Sequence, residues 1–240
     1  MFEEGKNSSC LQSFYERSNP VQAIEPEGFR LIAVTDSASC PRGLVEQVDR
    51  IAKCPYKPQQ LLLRAKDLPA EDYAKLAREV LPLCQKYGME LIIHTHWRIA
   101  LELGLKRVHL PLPKLSQMPL EARRSRLISS SVHSVAEARK ALLEGAQALI
   151  VGHIYATHCK AGAPPRGLSF LHQVHEFAVK HTTPRQSQAK ERAQAQDSII
   201  CQNTLPVYAI GGIGFDPRQW QELARSGAQG ACIMSAYMKI

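Results

Sequence analysis

The sequence lacks several features that would by themselves assign a protein to a class. It contains no uninterrupted apolar run near the roughly 20 residues that a membrane helix requires. It opens on acidic and polar residues that are unlike a secretory signal. It has no Cys-x-x-Cys pair, and its seven cysteines are an odd number scattered along the chain. These absences argue against a membrane protein, a disulfide framework and a structural zinc site, and we expect a cytoplasmic protein with reduced thiols.

The composition is that of a soluble globular protein with a basic balance. Of 240 residues, 45% are hydrophobic and 22% are charged, which leaves ample apolar surface for a core. The formal net charge of +8 has two interpretations: a basic surface that is simply solvated, or an anionic partner, which would be a phosphorylated metabolite or a nucleic acid. The basic residues are dispersed and are not interleaved with aromatic side chains, so nucleic-acid binding is the weaker interpretation.

Eight short apolar runs recur along the chain, separated by amphipathic segments. The runs lie at 29–35, 60–64, 91–94, 107–110, 127–131, 148–151, 207–210 and 230–234. Most are continuous rather than alternating, which is typical of strands buried on both faces of a parallel sheet. The eight strand–helix alternations predict a single α/β domain, a (β/α)8 TIM barrel. A doubly wound open sheet is the alternative, but no Gly-x-Gly-x-x-Gly follows the first strand.

Helices are predicted most clearly at 69–87, 135–143 and 217–224. Ser134 and Asp216 precede the second and third as N-cap residues. In the first helix, apolar residues spaced by three or four predict the buried face. Its members are Tyr73, Leu76, Val80, Leu83 and Tyr87.

Three regions depart from the alternation. Residues 1–28 have no strand pattern and are predicted to be an N-terminal extension, so the barrel domain is expected at 29–240. The polar stretch at 182–200 is predicted to be an insertion before strand seven, on the face of the barrel away from an active site. Only 235–240 follow the last strand, so the last helix is expected to be truncated. The flank that this leaves would expose apolar surface, which favours a homodimer.

Histidines cluster near the carboxyl ends of the predicted strands, where barrels of this type hold their active sites. Four of the nine, His94, His109, His133 and His153, lie there. Each alone is more often structural than catalytic, but together they enrich one face in groups that titrate near neutral pH. A metal pair at His94 and His96 is the weaker interpretation, since no carboxylate joins it.

Gly211 and Gly212 after strand seven indicate a phosphate site, because bound phosphate needs close approach of the backbone. Loops after strands seven and eight form the usual phosphate site of barrels, and Ser235 follows strand eight. A plain turn is the alternative interpretation of the two glycines. Lys160 and Arg166 flank a Gly/Pro-rich stretch after strand six, which indicates either a lid over a phosphorylated ligand or a solvated loop.

Nine short motifs accompany these strands. They are AVTD at 33–36, LLLRAK at 61–66, LIIHTHWRIA at 91–100, RVHLP at 107–111, SVHSVAEA at 131–138, GHIYATHCKAG at 152–162, RG at 166–167, AIGGI at 209–213 and GACIMSA at 230–236. With them the chain resembles the thiamine phosphate synthase/thiazole tautomerase (TenI) superfamily over about 30–237. The resemblance implies a (β/α)8 barrel that acts on a small phosphorylated thiazole.

The synthase branch of this superfamily joins a pyrimidine diphosphate to a thiazole phosphate and requires Mg²⁺. Its Gln-x-Arg-x-Lys after strand two has lost the glutamine here, where Leu62 stands. Its Asn-Asp after strand three is replaced by His94 and Thr95, and its metal-binding Asp after strand four falls in 111–114, which has no acid. Because Mg²⁺ prefers carboxylate oxygens, these losses argue against the synthase reaction.

The tautomerase branch carries SVHS after strand five and GHxxxTxCK after strand six, and both are present at 131–134 and 152–160. In that branch the residue matching His133 is the acid/base group, and no metal or cofactor is used. His94 stands where we expect Asn in tautomerases and could be a second proton carrier. The resemblance implies substrate-binding roles for Arg64, Lys66, Thr157 and Lys160, and phosphate-binding roles for Gly211, Gly212, Met234 and Ser235.

The sequence thus predicts a metal-independent thiazole tautomerase of thiamine biosynthesis, an isomerase with His133 and His94 as its catalytic residues. A Mg²⁺-dependent thiamine phosphate synthase is the first alternative. A non-catalytic sensor of a phosphorylated ligand is the second.

Overall fold

A computed structural model describes residues 26–181 and 205–240, and these form a closed barrel of eight parallel strands in chain order. The strands are β1 Arg30–Val34, β2 Gln60–Leu63, β3 Glu90–His94, β4 Arg107–Pro111, β5 Leu127–Val132, β6 Ala148–Gly152, β7 Val207–Ile210 and β8 Gly230–Ile233. Pairing of β1 with β8 closes the barrel. The predicted α/β barrel and its eight strands are confirmed, and their ends differ from the predictions by at most one residue.

Helices surround the strands. They are α1 Leu44–Lys53, α2 Ala70–Tyr87, α3 Trp97–Glu102, α4 Leu112–Leu115, α5 Leu120–Arg124, α6 Val135–Leu143, α7 Gly167–His181, α8 Pro217–Arg225 and α9 Ser235–Met238, with 3₁₀ turns at Ser37–Ser39 and His158–Lys160. In the described ranges, none of these helices combines the length and apolar character that a bilayer crossing requires. The insertion at 182–200 and residues 1–25 of the predicted extension lie outside the described residues, so both stay predictions.

Local signals in the sequence explain where the helices begin. The Ser134 hydroxyl accepts a hydrogen bond from the Glu137 amide at 3.0 Å, and the Asp216 carboxylate accepts one from Arg218 at 2.9 Å. Both are therefore the predicted N-caps. The buried face of α2 is rotated from the predicted one, because small residues allow closer packing on the barrel. It consists of Tyr73, Ala74, Ala77, Val80 and Cys84, whereas Leu76, Leu83 and Tyr87 are only half-buried.

Successive strand residues point alternately to the helices and to the barrel interior. Leu61 and Leu63 of β2 belong to the core beneath the helices, and Leu62 between them belongs to a separate cluster inside the barrel. The same alternation turns His94 of β3 and His109 of β4 inward. Position along a strand therefore decides which side chains can reach the barrel mouth.

The short last helix, α9, is fastened to α1. Gln47 Nε2 donates to the Tyr237 carbonyl at 2.7 Å, and Arg50 Nε donates to the Ile240 carbonyl at 3.0 Å. The Asp36 amide approaches Met238 Sδ at 3.3 Å. Aromatic rings fill the neighbouring space. They are Tyr56, Phe215, Trp220 and Tyr237, with ring centroids 4.8–5.3 Å apart in contacting pairs. The described residues thus cover this flank themselves, and the homodimer stays a prediction.

Candidate functional site

The predicted site residues gather at the carboxyl ends of the strands, which meet at one mouth of the barrel. Arg64 follows β2, His94 ends β3, and His133 follows β5. The loops after β6 and β7 contact each other there, since the Tyr155 amide donates to the Gly211 carbonyl at 3.0 Å. The barrel closure therefore brings segments distant in sequence to a common rim.

Arg64 is fixed by the two residues that follow β1. The Thr35 hydroxyl accepts from the Arg64 amide at 2.7 Å and donates to the Arg64 carbonyl at 2.9 Å. The Asp36 carboxylate forms an ion pair with Arg64 Nη1. Burial acts to raise the pKa of Asp36, but hydrogen bonds from Ser39 and Arg64 outweigh it and lower that pKa. Lys66, also predicted to bind substrate, is exposed two residues further on.

His133 is held at its main chain and at its ring. Its amide donates to the Glu137 carboxylate at 2.7 Å, and Glu137 also completes the cap of α6. Ring atom Nδ1 lies 2.6 Å from the Gly152 carbonyl oxygen. A carbonyl only accepts, so Nδ1 carries the proton and, in the neutral ring, Nε2 carries the lone pair. His133 is half-buried, which leaves a potential base at the mouth.

His94 and His109 stack on each other inside the rim. Their ring centroids are 5.6 Å apart with an interplanar angle of 24°. Burial, with Arg64, Lys66 and His96 nearby, lowers the pKa of His94 to about 4. Burial, with a smaller effect of His94, lowers the pKa of His109 to about 3. Both rings are therefore neutral at physiological pH.

His94 and His96 do not face one another as a metal pair would. The backbone of the intervening Thr95 is left-handed, with φ of 66°. The His96 ring packs on Tyr73 at 4.4 Å between centroids, while His94 stacks on His109. Among the described residues, no three His, Cys, Asp or Glu side chains converge in the manner of a metal site.

Gly211 and Gly212 have positive φ values of 101° and 70°. A Cβ on Gly211 would lie 2.3 Å from His153 Cβ, and one on Gly212 would lie 2.5 Å from the Ala156 carbonyl oxygen. Close packing of the β6 and β7 loops thus requires glycine at both positions. Within 26–181 and 205–240, neither glycine amide donates a hydrogen bond, so both remain able to bind a ligand oxygen.

The loop after β6 reaches across to the start of α9. Cys159 Sγ lies 3.8 Å from Ser235 Oγ, and the Lys160 amide donates to the Thr157 carbonyl at 3.2 Å. Lys160 is exposed beside this contact, and Met234 is half-buried just before Ser235. The predicted substrate-binding residues of this loop and the predicted phosphate-binding residues after β8 are therefore neighbours. Arg166, by contrast, stacks on Phe170 at 5.3 Å.

A groove of about 520 Å³ lies outside the barrel, between α2 and α3. Charges of both signs line it, and Arg78 pairs with Glu102 across it at 3.5 Å. Its lining includes Thr95 and His96 but none of the predicted site residues. The groove therefore borders the candidate site only through the segment that follows His94.

Several site residues escaped the sequence analysis because only the fold gives them partners. Asp36 lies in the AVTD motif, but its ion pair with Arg64 depends on the pairing of β1 with β2. Ser129 faces His109 only through the register of β4 with β5. Glu137 was visible as a capping-box residue after Ser134, a signal that points to the neighbouring His133.

The carboxylates near the mouth do not suit Mg²⁺. Asp36 is engaged by Arg64, and Asp67 accepts a hydrogen bond from Ser37. The end of β4 and the start of α4, at 111–114, offer no acid. Magnesium sites are built from carboxylate oxygens together with substrate phosphates, so this donor set is a poor match.

Known proteins resemble this chain over most of its length. A protein of Aquifex aeolicus (strain VF5), provisionally named thiamine-phosphate synthase 2, is 29% identical over 216 residues, which is 88% of this chain and 98% of the relative. The thiamine-phosphate synthase of Thermosynechococcus vestitus is 28% identical over 92% of this chain, and the match spans only 55% of that relative.

The fold has a solved counterpart in a thiamine phosphate pyrophosphorylase from Pyrococcus furiosus. That structure superposes with a TM-score of 0.64 at 24% identity and covers 89% of both chains, which supports the barrel fold. The family model described as thiamine monophosphate synthase (TMP-TENI) matches residues 31–184, more than half of the sequence. The chain therefore belongs to the thiamine monophosphate synthase (TMP-TENI) family.

Proposed function

We propose that the protein is an enzyme of thiamine biosynthesis that isomerises a thiazole carboxylate phosphate by proton transfer, without a metal. The observation that carries this proposal is the His133 ring. Its Nδ1 proton is committed to the Gly152 carbonyl at 2.6 Å, so the neutral ring offers Nε2 as a base at the mouth. Membership of the family supports a thiamine-pathway substrate.

The basic residues at the mouth suit an anionic substrate. Arg64 and Lys66 lie on one side, where they would hold the substrate carboxylate. On the other side, the amides of Gly211 and Gly212 would hold its phosphate, together with Met234 and Ser235. Thr157 and Lys160 would bind from the neighbouring loop. The substrate would thus be fixed at both ends, with its ring near His133.

In this reaction, His133 Nε2 takes a proton from a carbon of the substrate. The electron pair of the broken C–H bond moves into the conjugated system, and a proton is delivered to a second atom. The product is an isomer, so no proton is gained or lost overall. An imidazole is suited to this chemistry because one ring nitrogen can accept a proton while the other remains hydrogen-bonded.

A thiamine-phosphate synthase is the second candidate, because the curated relatives carry that name. The relatives favour this activity more strongly than they favour isomerisation. It would need Mg²⁺, for which the residues at the mouth are a poor match.

Two assays of the purified protein separate the candidates. In the first, thiazole carboxylate phosphate is the substrate and isomerisation is followed by NMR. In the second, pyrimidine diphosphate, thiazole phosphate and Mg²⁺ are mixed and thiamine phosphate is measured. We expect turnover in the first assay only, and turnover only in the second would replace isomerase by synthase. Binding without turnover in either would indicate a sensor.

Variants assign the reaction to the site. His133→Ala should lower the isomerisation kcat by about 100-fold or more, within the range expected for loss of a general acid/base group. His172→Ala is the matched control, because His172 is exposed on α7. Full turnover by His133→Ala would exclude the proposed role.

A further inference from the structure

Toward the mouth, the side chains inside the barrel change from apolar to polar. Its middle is filled by a cluster of buried, mostly apolar side chains: Ile32, Val34, Leu62, Ile92, Ala148, Ile150, Tyr208 and Cys232. On the side of β3, β4 and β5, the next inward-facing side chains toward the mouth are His94, His109, Ser129 and Ser131. Polar groups cost free energy when they are buried without partners, so we expect each polar side chain of this sector to be hydrogen-bonded.

His109 is clamped between two hydroxyl groups of β5. Its Nδ1 lies 2.9 Å from Ser129 Oγ, and its Nε2 lies 2.9 Å from Ser131 Oγ. The side chain is only 2% exposed. A hydroxyl can donate or accept, so each ring nitrogen finds a partner in the neutral state. The clamp therefore fixes the plane of the ring.

His94 lies on this fixed ring and is held at its other side by Thr95. The two imidazoles stack with 5.6 Å between centroids. Thr95 Oγ1 lies 2.9 Å from His94 Nδ1, and the Thr95 amide donates to the His109 carbonyl at 2.8 Å. In this arrangement the Thr95 backbone is left-handed, with φ of 66°, and this conformation is strained for a β-branched residue.

We propose that His109 is a positioning residue that holds His94 as a second proton-transfer group at the mouth. With His94 Nδ1 engaged by Thr95, Nε2 is the ring atom that remains for a substrate. The inference deepens the proposed isomerisation and rests on it.

Two imidazoles provide the two proton transfers that an isomerisation needs. His133 accepts the proton as the substrate C–H bond breaks, and the electron pair shifts through the conjugated system. Neutral His94 donates its Nε2–H proton as the new bond forms at the second atom, which leaves His94 as an imidazolate close to cationic Arg64 and Lys66 while His133 is an imidazolium. The two rings then return to their starting states by exchanging one proton through water, so the reaction balances.

The surroundings of His94 support the ring as an uncharged donor. The charged and titratable groups that face it are Arg64 and Lys66 after β2, His96 after Thr95, and His109 on β4. The cations and burial both disfavour a positive charge on His94. A ring that starts uncharged can be drawn close to cationic Arg64 without a like-charge penalty.

The first test uses the full chain without substrate. In ¹⁵N-histidine NMR, the Ser129→Ala/Ser131→Ala double variant should shift the ring resonances of His94 toward an average of two tautomers. Ser130→Ala is the matched control, because that buried hydroxyl donates to the Leu110 carbonyl at 2.8 Å and does not contact His109. Equal His94 spectra for the double variant and the control would overturn the positioning role.

Variants of Thr95 test the position of the His94 ring through its Nδ1 atom. They also serve if the double variant fails to fold. Thr95→Ala removes the hydroxyl that contacts Nδ1, whereas Thr95→Ser keeps it. We expect the Thr95→Ala spectrum to show mixed His94 tautomers and the Thr95→Ser spectrum to match the unmodified protein. Identical spectra for the two variants would also overturn the proposal.

The second test separates positioning from simple stabilisation. The double variant should lower kcat for isomerisation by about 10- to 100-fold with KM changed by less than about 3-fold, as expected when a reacting group is misplaced. A raised KM with unchanged kcat would contradict the role. If the unmodified protein does not isomerise the thiazole, the proposed function fails, while the NMR test still decides whether His109 positions His94.

Discussion

The Asp36 carboxylate and the Arg64 guanidinium pair across the ends of β1 and β2, with side chains 18% and 24% exposed. Because the pair is largely withdrawn from water, it is screened less than a surface ion pair. Thr35 holds the Arg64 main chain through two hydrogen bonds. Arg64 is therefore oriented before any ligand arrives, and its guanidinium retains N–H donors for an anion.

Asp36→Asn should weaken substrate binding more than catalysis. The amide keeps the shape of the side chain but loses its charge, so Arg64 is free to leave the mouth. We expect KM to rise by about 10-fold, which corresponds to about 1.4 kcal/mol, with a smaller change in kcat. Asp72→Asn is the control, because Asp72 pairs with Lys75 on the exposed surface of α2. An unaltered KM would show that Asp36 does not orient Arg64.

Stability should fall as pH falls through the titration range of the buried histidines. In the unfolded chain both imidazoles titrate near 6.5, whereas in the fold the pKa of His94 is about 4 and that of His109 is about 3. The unfolded state thus binds more protons below pH 6.5, and the free energy of unfolding decreases by up to about 1.4 kcal/mol per pH unit per group.

Urea unfolding at pH 7, 6, 5 and 4 measures this dependence. His109→Gln should make the loss of stability with falling pH shallower, since one of the two groups is gone. His172→Gln on the exposed side of α7 should leave the slope as it is. A steeper or equal slope for His109→Gln would contradict the assignment.

Gly211→Ala should destabilise the barrel by roughly 1–3 kcal/mol, the cost of a strained backbone. The residue has φ of 101°, and an added Cβ would lie 2.3 Å from His153 Cβ. Gly214→Ala is the matched control, because no atom lies within 4 Å of a Cβ built there. Thermal unfolding of both variants provides the measurement, and equal melting temperatures would argue against the tight loop packing.

Phosphate should protect Cys159 from alkylation. The thiol is exposed and lies 3.8 Å from Ser235 Oγ, within the predicted phosphate site. Reaction with iodoacetamide, followed by mass spectrometry of the peptide that contains Cys159, should slow several-fold in millimolar inorganic phosphate. Cys54, half-buried at the end of α1, serves as the internal reference. Equal slowing at both cysteines would point to a general salt effect.

The architecture was predictable because parallel strands buried on both faces leave continuous apolar runs. The run at 207–210 coincides with β7, and the helix at 135–143 coincides with α6, whose cap Ser134 is visible in the sequence. The face of α2 was not predictable in the same way. Small residues such as Ala77 pack closest to the barrel, while a pattern of large apolar residues points elsewhere.

The site was predictable only as positions on strands. Strand ends identify His94 and His133, because parallel strands deliver their carboxyl ends to one rim. The partners of those residues depend on register between strands, which no local pattern encodes. The clamp of Ser129 on His109 and the pairing of Asp36 with Arg64 both arise in this way.

The four-residue helix α9 contacts two parts of the mouth. Ser235 at its start lies beside the loop after β6, and Met238 at its end contacts the amide of Asp36, the partner of Arg64. Ser235 and Met238 belong to one four-residue helix, so the contact with the loop after β6 and the contact with Asp36 are separated by about one helical turn. For a ligand that contacts both Ser235 and Arg64, the distance between its two anionic groups should therefore be a measurable determinant of fit.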